Sequence, residues 1–302
     1  MGDIRSHIIR QDDGTSTGIW GPFVLRSAFQ PIFAFERGKL SIAAFEGLLR
    51  PFREAQTLPP QPFLNSLIAA ERLPVENLAH TLHLRNAARW LPEGASIFIN
   101  FDPSVFVDPV VVEATIREMR VTLAETGIDP RRVVCEMTEK ETVSQEALFA
   151  LVASLKATGF RIAVDDYGAD DSDMGRIRDL DPDIVKFDAG WIARLMDSGP
   201  GYALLVTMVS TFTAEGISTV FEGIEEGWQV ELAEKAGADM VQGFALGRPE
   251  LVPADFSALT PVPPPEHHPP AQAMPVLGGP PVARAVGELR HTKAFGRRVQ
   301  PL

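Results

Sequence analysis

Between residues 23 and 244 the chain alternates short apolar runs with longer stretches whose apolar residues recur at helical spacing. The first two runs, 23–35 and 40–49, flank the turn Arg37-Gly38-Lys39 and predict an antiparallel hairpin. Pro31 marks an edge or an irregular spot in the first of them. A Pro-rich loop over 51–62 and helices over 61–72 and 75–91 follow, the second with Leu78, Leu82, Leu84 and Trp90 towards one face. From there strand and helix alternate, with strands over 96–101, 132–137, 160–166, 183–188, 217–222 and 239–244. The intervening helices cover 108–126, 145–158, 172–180, 190–197, 201–215 and 225–236. This order predicts an α/β fold, a modified TIM (β/α)8 barrel with an antiparallel first strand. An open doubly wound sheet is the competing architecture, but no glycine-rich phosphate turn follows any of the strands.

The flanks differ from this rhythm. Residues 1–20 are polar and read as a flexible N-terminal arm, unlike a secretory signal, ahead of a barrel domain over 21–260. Residues 261–302 hold ten of the 25 prolines, including the tract PVPPPEHHPP, and so cannot bury a core. They read as a disordered Pro-rich C-terminal tail whose basic end, ARAVGELRHTKAFGRR, is a candidate helix on a protein partner. His267 and His268 have no third ligand nearby and read as solvated.

Composition narrows the function classes. With 45% apolar and 23% charged residues there is material for a sizeable core. A net charge of −12 argues against a nucleic-acid polymer as partner, yet admits an anionic ligand where metal ions supply positive charge. The lone Cys135 excludes an internal disulfide and fits a reducing compartment. Its adjacency to Glu136 places it on the opposite strand face, as a core thiol. No apolar run approaches the ~18 residues of a membrane span, so a cytoplasmic location is expected.

The chemistry lies at the strand ends. Glu46 ends strand two, Asn100 strand three, Glu136 strand four with Glu139 beyond it, and Asp165 and Asp166 strand five. Lys186 lies in strand six, Glu222 ends strand seven with Glu225 beyond, and Gln242 lies in strand eight. Two adjacent aspartates repel one another and are tolerable at a strand end where cations hold them. Alone, D-D-x-G fits a solvated loop with an N-cap; its recurrence in register with other polar strand ends argues for a site at the carboxyl rim of the barrel. Lys186 cannot balance so many acids. Oxygen-only donors select Mg²⁺ or Mn²⁺ over zinc, and the number of acids suits two ions, as in two-metal phosphoester hydrolysis with cations about 3.5–4 Å apart. Duller readings stand beside these. Asn100 fits a turn cap, Lys186 an ion-pair partner of Asp188, Gln242 a structural hydrogen bond, and Glu225 a helix N-terminal acid outside the ligand set.

The motifs also carry a resemblance. FQPI at 29–32, EGLLR at 46–50, FIN at 98–100, EMTE at 136–139, DDYG at 165–168, VKFD at 185–188, FEGIE at 221–225 and QGF at 242–244 follow one order. In that order they resemble the EAL-domain family, bacterial phosphodiesterases that hydrolyse cyclic di-GMP. Gly47 stands where the family motif E-A-L-L-R has alanine. The resemblance implies two Mg²⁺ or Mn²⁺ ions, one held by Glu46, Asn100, Glu136 and Asp165, the other by Asp165, Asp166 and Glu222. It implies that Lys186 orients the nucleophilic water, that Gln242 supports the site, and that Glu139 anchors the loop after strand five. Gln30, Leu48 and Arg50 would contact cyclic di-GMP, which would open to linear pGpG. A homodimer through the strand-five loop is also implied. The chain departs from the family in that loop, where Asp170 replaces the usual glycine and Asp173 breaks a serine pair. Two functions follow: an active cyclic di-GMP phosphodiesterase, or a catalytically weak EAL domain that binds the dinucleotide or a protein as a regulatory module.

Overall fold

The computed structural model describes residues 4–138, 144–169, 174–256 and 259. It begins with strands β1 (Ile8–Arg10) and β2 (Ser16–Trp20), the long hairpin β3 (Phe23–Glu36) and β4 (Lys39–Arg53), and the short β5 (Gln56–Thr57). Helices α1 (Pro60–Ser66) and α2 (Ala69–Trp90) lead into the repeating part. There β6 (Ser96–Phe101), α3 (Pro109–Thr126), β7 (Val133–Thr138), α4 (Gln145–Ala157), β8 (Arg161–Tyr167), α5 (Met174–Leu180) and β9 (Ile184–Phe187) follow in turn. The chain continues through α6 (Ala189–Met196), α7 (Gly199–Ala214), β10 (Ser218–Phe221), α8 (Gly227–Ala236), β11 (Met240–Val241) and β12 (Glu250–Leu251).

Eight of these strands close on themselves in the order β3, β4, β6, β7, β8, β9, β10, β11 and back to β3. β3 is antiparallel to both of its barrel neighbours, and every other neighbouring pair in the ring is parallel. The reversal follows from the connection. Only Arg37 and Gly38 join β3 to β4, both at positive φ (53° and 74°), a turn that suits the right-handed strand twist. A parallel pair would need a crossover of a dozen residues or more.

Alternation along each strand divides the core into two layers. Ile32, Ala44, Phe98, Val134, Ala163, Ile184 and Val220, with Met240, fill the barrel interior at one residue per strand. Their neighbours in sequence, such as Ile97, Ile99, Val133, Cys135, Ile162 and Val164, face outward into the larger cluster with the helices. Cys135 is fully buried there, and burial pushes its thiol pKa well above the ordinary value. A third cluster, built on Leu25, Phe63, Leu67, Val75, Leu78 and Leu82, lies beneath Ile8, Trp20 and Phe23.

Three boundaries depart from the sequence reading. Residues 8–20, expected as a flexible arm, form β1 and β2 paired onto β3. Their polar Thr15, Ser16 and Thr17 are buried rather than solvated, because Asn86 of α2 bonds both the N–H and the carbonyl of Ser16. The helix break expected around residues 73–74 falls instead at Leu67–Ile68, and α2 runs through Pro74. Pro74 is the sixth residue of that helix and forfeits the single N–H bond that would reach the Ala70 carbonyl. Part of the expected loop over 51–62 is strand, since β4 reaches Arg53 and pairs with β5. The tail over 261–302 lies outside the described residues.

Phe98 is the largest side chain of the inner layer and is wholly buried. Phe98→Ala is expected to lower unfolding stability by about 3–5 kcal/mol through the cavity it leaves, measured by equilibrium urea denaturation. A loss below about 1 kcal/mol would mean that this layer does not hold the barrel together.

Candidate functional site

Each polar strand end sits two residues from a member of the inner apolar layer. Glu46 follows Ala44, Asn100 follows Phe98, Glu136 follows Val134, and Asp165 follows Ala163. Lys186 follows Ile184, Glu222 follows Val220, and Gln242 follows Met240. On the antiparallel β3 the relation inverts, and Gln30 precedes Ile32 while pairing in register with Glu46. A spacing of two keeps a residue on the same strand face, so these side chains form a polar ring directly above the apolar plug.

Lys186 sits at the centre of that ring and is fully buried. Its Nζ donates to Glu136 Oε1 and lies 2.5 Å from Glu222 Oε1, 3.4 Å from Asp165 Oδ1 and 3.9 Å from Glu46 Oε2. Burial alone pulls the ammonium pKa down, but the carboxylates, Glu136 foremost, outweigh it and hold the pKa well above the ordinary lysine value. The acids respond in kind. Burial, opposed by Lys186 and reinforced by Asp165, Glu46 and Glu222, raises Glu136 well above the usual carboxylate range. The same causes, burial first, raise Glu222 to about 7.

One ammonium leaves this cluster short of positive charge. Glu136, Asp165 and Glu222 each present an oxygen within 4.8 Å of the others. Glu136 Oε2 and Asp165 Oδ1 are buried without a hydrogen-bond donor. Clustered carboxylates with buried oxygens that lack a hydrogen-bond donor are what a hard divalent cation satisfies, so the residues present fit such an ion.

The other expected site residues divide by their partners. Gln242 Nε2 donates to Glu46 Oε2 at 2.7 Å, and Asn100 Nδ2 lies 3.5 Å from Glu46 Oε1. Gln30 Nε2 is engaged by the Gly247 carbonyl at 3.1 Å. Arg50 is half-buried and donates to the Leu49 carbonyl; burial lowers its pKa while Glu46 raises it. Leu48 lies between Glu46 and Arg50 on the same face of β4 and is half-buried. Glu139 and residues 170–173 lie outside the described residues.

Asp165 and Asp166 raise a geometric problem that the backbone resolves. Adjacent strand residues face opposite ways, yet the ladder between β8 and β9 slips between Val164 and Tyr167. This is a bulge, with Asp166 at φ 58°, and bulges re-aim side chains from strict alternation. Tyr167 pins the far side of the bulge by edge-on contacts with Phe187, Trp191 and Phe212. Gly168 then turns the chain at φ 93°, where a Cβ would come within 2.3 Å of Trp191.

One group of residues near the site escaped the sequence reading. On α2, Glu76 accepts from the Asp102 N–H, His80 Nε2 meets the Asn100 carbonyl at 2.9 Å, and His83 lies against Gly47. Polar residues inside the buried stripe of a long helix were the available signal. Among the described residues, no helix is long and apolar enough to cross a membrane.

Comparison with known proteins agrees with this architecture. The probable cyclic di-GMP phosphodiesterase PdeN of Escherichia coli is 26% identical over 74% of this chain and 43% of its own length. The match spans only 23% to 32% of three other relatives. Klebsiella pneumoniae BlrP1, solved with calcium and cyclic di-GMP, superposes with a TM-score of 0.66 at 25% identity, covering 75% of this chain and 56% of that one. The Bacillus subtilis YkuI protein, solved with cyclic di-GMP and calcium, gives 0.67 at 24% identity over 78% and 58%. The sequence profile of the EAL domain matches residues 24–249, so the chain belongs to the EAL domain family.

Proposed function

We propose that the protein is a divalent-metal-dependent phosphodiesterase that opens cyclic di-GMP to linear pGpG. The observation that carries this reading is the cluster of Glu136, Asp165 and Glu222, three carboxylates converging on a single lysine, with a buried oxygen on Glu136 and on Asp165 that accepts no hydrogen bond. Under this reading Glu46, Asn100, Glu136 and Asp165 hold one Mg²⁺ or Mn²⁺ ion, and Asp165, Asp166 and Glu222 hold a second. Such ions supply Lewis-acid activation of water and charge neutralisation at the phosphate.

The chain's own groups do the rest. Gln242 and Asn100 donate to the two oxygens of Glu46, fixing the carboxylate plane before any ligand arrives. Lys186 stays protonated and holds a fixed positive charge where negative charge develops as water oxygen bonds to phosphorus and the P–O3′ bond breaks. Arg50, half-buried beside Glu46, offers a guanidinium to a phosphate oxygen. Leu48 and Gln30 line the same strand pair. In support, similar proteins include one named cyclic di-GMP phosphodiesterase and two named probable cyclic di-GMP phosphodiesterases, and BlrP1 has been solved with that dinucleotide and manganese.

Incubation of the purified protein with cyclic di-GMP and Mn²⁺ is expected to yield pGpG, followed by chromatography. Glu46→Ala should reduce turnover by at least about 100-fold, beyond the loss typical of an outer-shell partner. Unchanged dinucleotide with retained binding would replace this reading by that of a receptor. Activity surviving in Glu46→Ala would remove Glu46 from the metal set.

The raised carboxylates set a pH dependence. Glu222 titrates at about 7 in the folded chain against 4.5 for an unperturbed carboxyl. Its contribution to the stability of the metal-free protein is therefore full below about 4.5 and is lost as pH rises through about 7. A cation needs the deprotonated form, so the Mn²⁺-induced rise in unfolding temperature should be small near pH ~5.5 and largest near pH ~8. Differential scanning fluorimetry with and without chelator measures it. A pH-independent metal shift would show that these carboxylates are not the ligands.

A further inference from the structure

Behind Glu46, on the outer face of β4, the chain carries an unusual contact. A Cβ added to Gly47 would lie 3.0 Å from His83 Cγ, 3.2 Å from its Cβ and 3.3 Å from its Cδ2. An alanine there would require either the imidazole or the strand to move. The imidazole is held. His83 is buried, and its Nδ1 meets Ser27 Oγ at 2.9 Å. Ser27 Oγ also accepts from Asn86 Nδ2 at 3.0 Å, so one hydroxyl ties the imidazole to Asn86. Asn86 is clamped in turn, taking the Ser16 N–H at 2.7 Å and giving to the Ser16 carbonyl at 2.9 Å. The strand is held as well, since Gly47 pairs with Phe29 on one side and Ile99 on the other.

We propose that His83 is a positioning residue for Glu46: wedged against Gly47 and braced through Ser27, Asn86 and Ser16, it sets where β4 presents its carboxylate at the barrel rim. Gly47 and His83 are then a matched pair, the histidine filling the space that an alanine methyl needs at this place in the motif. The same helix fixes a second oxygen donor, because His80 Nε2 meets the Asn100 carbonyl at 2.9 Å. α2 thus sets the backbone of two ligand-bearing strands, and the N-terminal strand β2 is the brace that keeps it there. This inference rests on the reading of Glu46 as a cation ligand.

The test is a Mn²⁺ titration of the unfolding temperature in four proteins: wild type, Gly47→Ala, His83→Ala and the double variant. Each is first measured in chelator to establish that it folds. Gly47→Ala should weaken the apparent Mn²⁺ affinity by about 10-fold or more. The double variant, whose methyl occupies the vacated imidazole space, should recover most of that loss, a non-additivity expected only of residues in direct contact. Equal Mn²⁺ affinity in wild type and Gly47→Ala would overturn the positioning role alone. So would a double variant that loses as much as both single changes together. If Gly47→Ala does not fold, the double variant decides, by recovering wild-type affinity or failing to. A wild type that ignores Mn²⁺ overturns the metal reading of the site and this inference with it.

Discussion

A single buried ammonium organises the rim of this barrel. Lys186 is enclosed among Glu136, Glu222, Asp165 and Glu46, and each of those acids is tolerable so far inside only because the lysine is there. Removing two charges from water costs several kcal/mol per ion, repaid only by close and well-hydrogen-bonded partners. Here the repayment is incomplete, because one cation faces four acids. Burial therefore raises Glu136 and Glu222 towards their neutral forms. The cluster is poised between taking up protons and taking up metal.

What makes this convergence possible is the registration of the barrel. The inner layer supplies one apolar side chain per strand, and a polar residue two positions further on has no choice but to stand above it. A slip of one residue in any strand would swing its ligand into the helix layer and an apolar side chain into the ring. β8 is the exception that confirms the need. It carries adjacent aspartates, and its ladder breaks there in a bulge with Asp166 at positive φ, anchored by the aromatic packing of Tyr167. The cost of that irregularity is met by core contacts on the far side of the motif.

Much of this was legible in the sequence because it is written locally. Apolar runs ending in Glu46, Asn100, Glu136, Asp165 and Glu222 announce strands and a shared rim, and the turn Arg37-Gly38-Lys39 announces the reversed first strand. The N-terminal strands were not legible, since Thr15, Ser16 and Thr17 look solvated until Asn86, 70 residues from Ser16, is seen to satisfy that backbone. The same holds for His83, whose meaning depends on its contact with Gly47, and for the break between α1 and α2, expected at 73–74 and found at Leu67–Ile68. Side-chain hydrogen bonds to distant backbone leave no periodic signature.

The electrostatics also order the events at the site. A chain of net charge −12 with an acidic rim repels an anionic ligand until that rim is neutralised. Lys186 is already committed to the carboxylates, so it adds little attraction for an incoming phosphate at the start. Cations held by Glu136, Asp165 and Glu222 would relieve the lysine of part of that duty and leave more of its charge for an anionic ligand. Under the proposed function, metal and dinucleotide affinity would then be linked, each raising the other by the same factor. The proposed wedge at Gly47 would act on this linkage by setting where β4 presents Glu46.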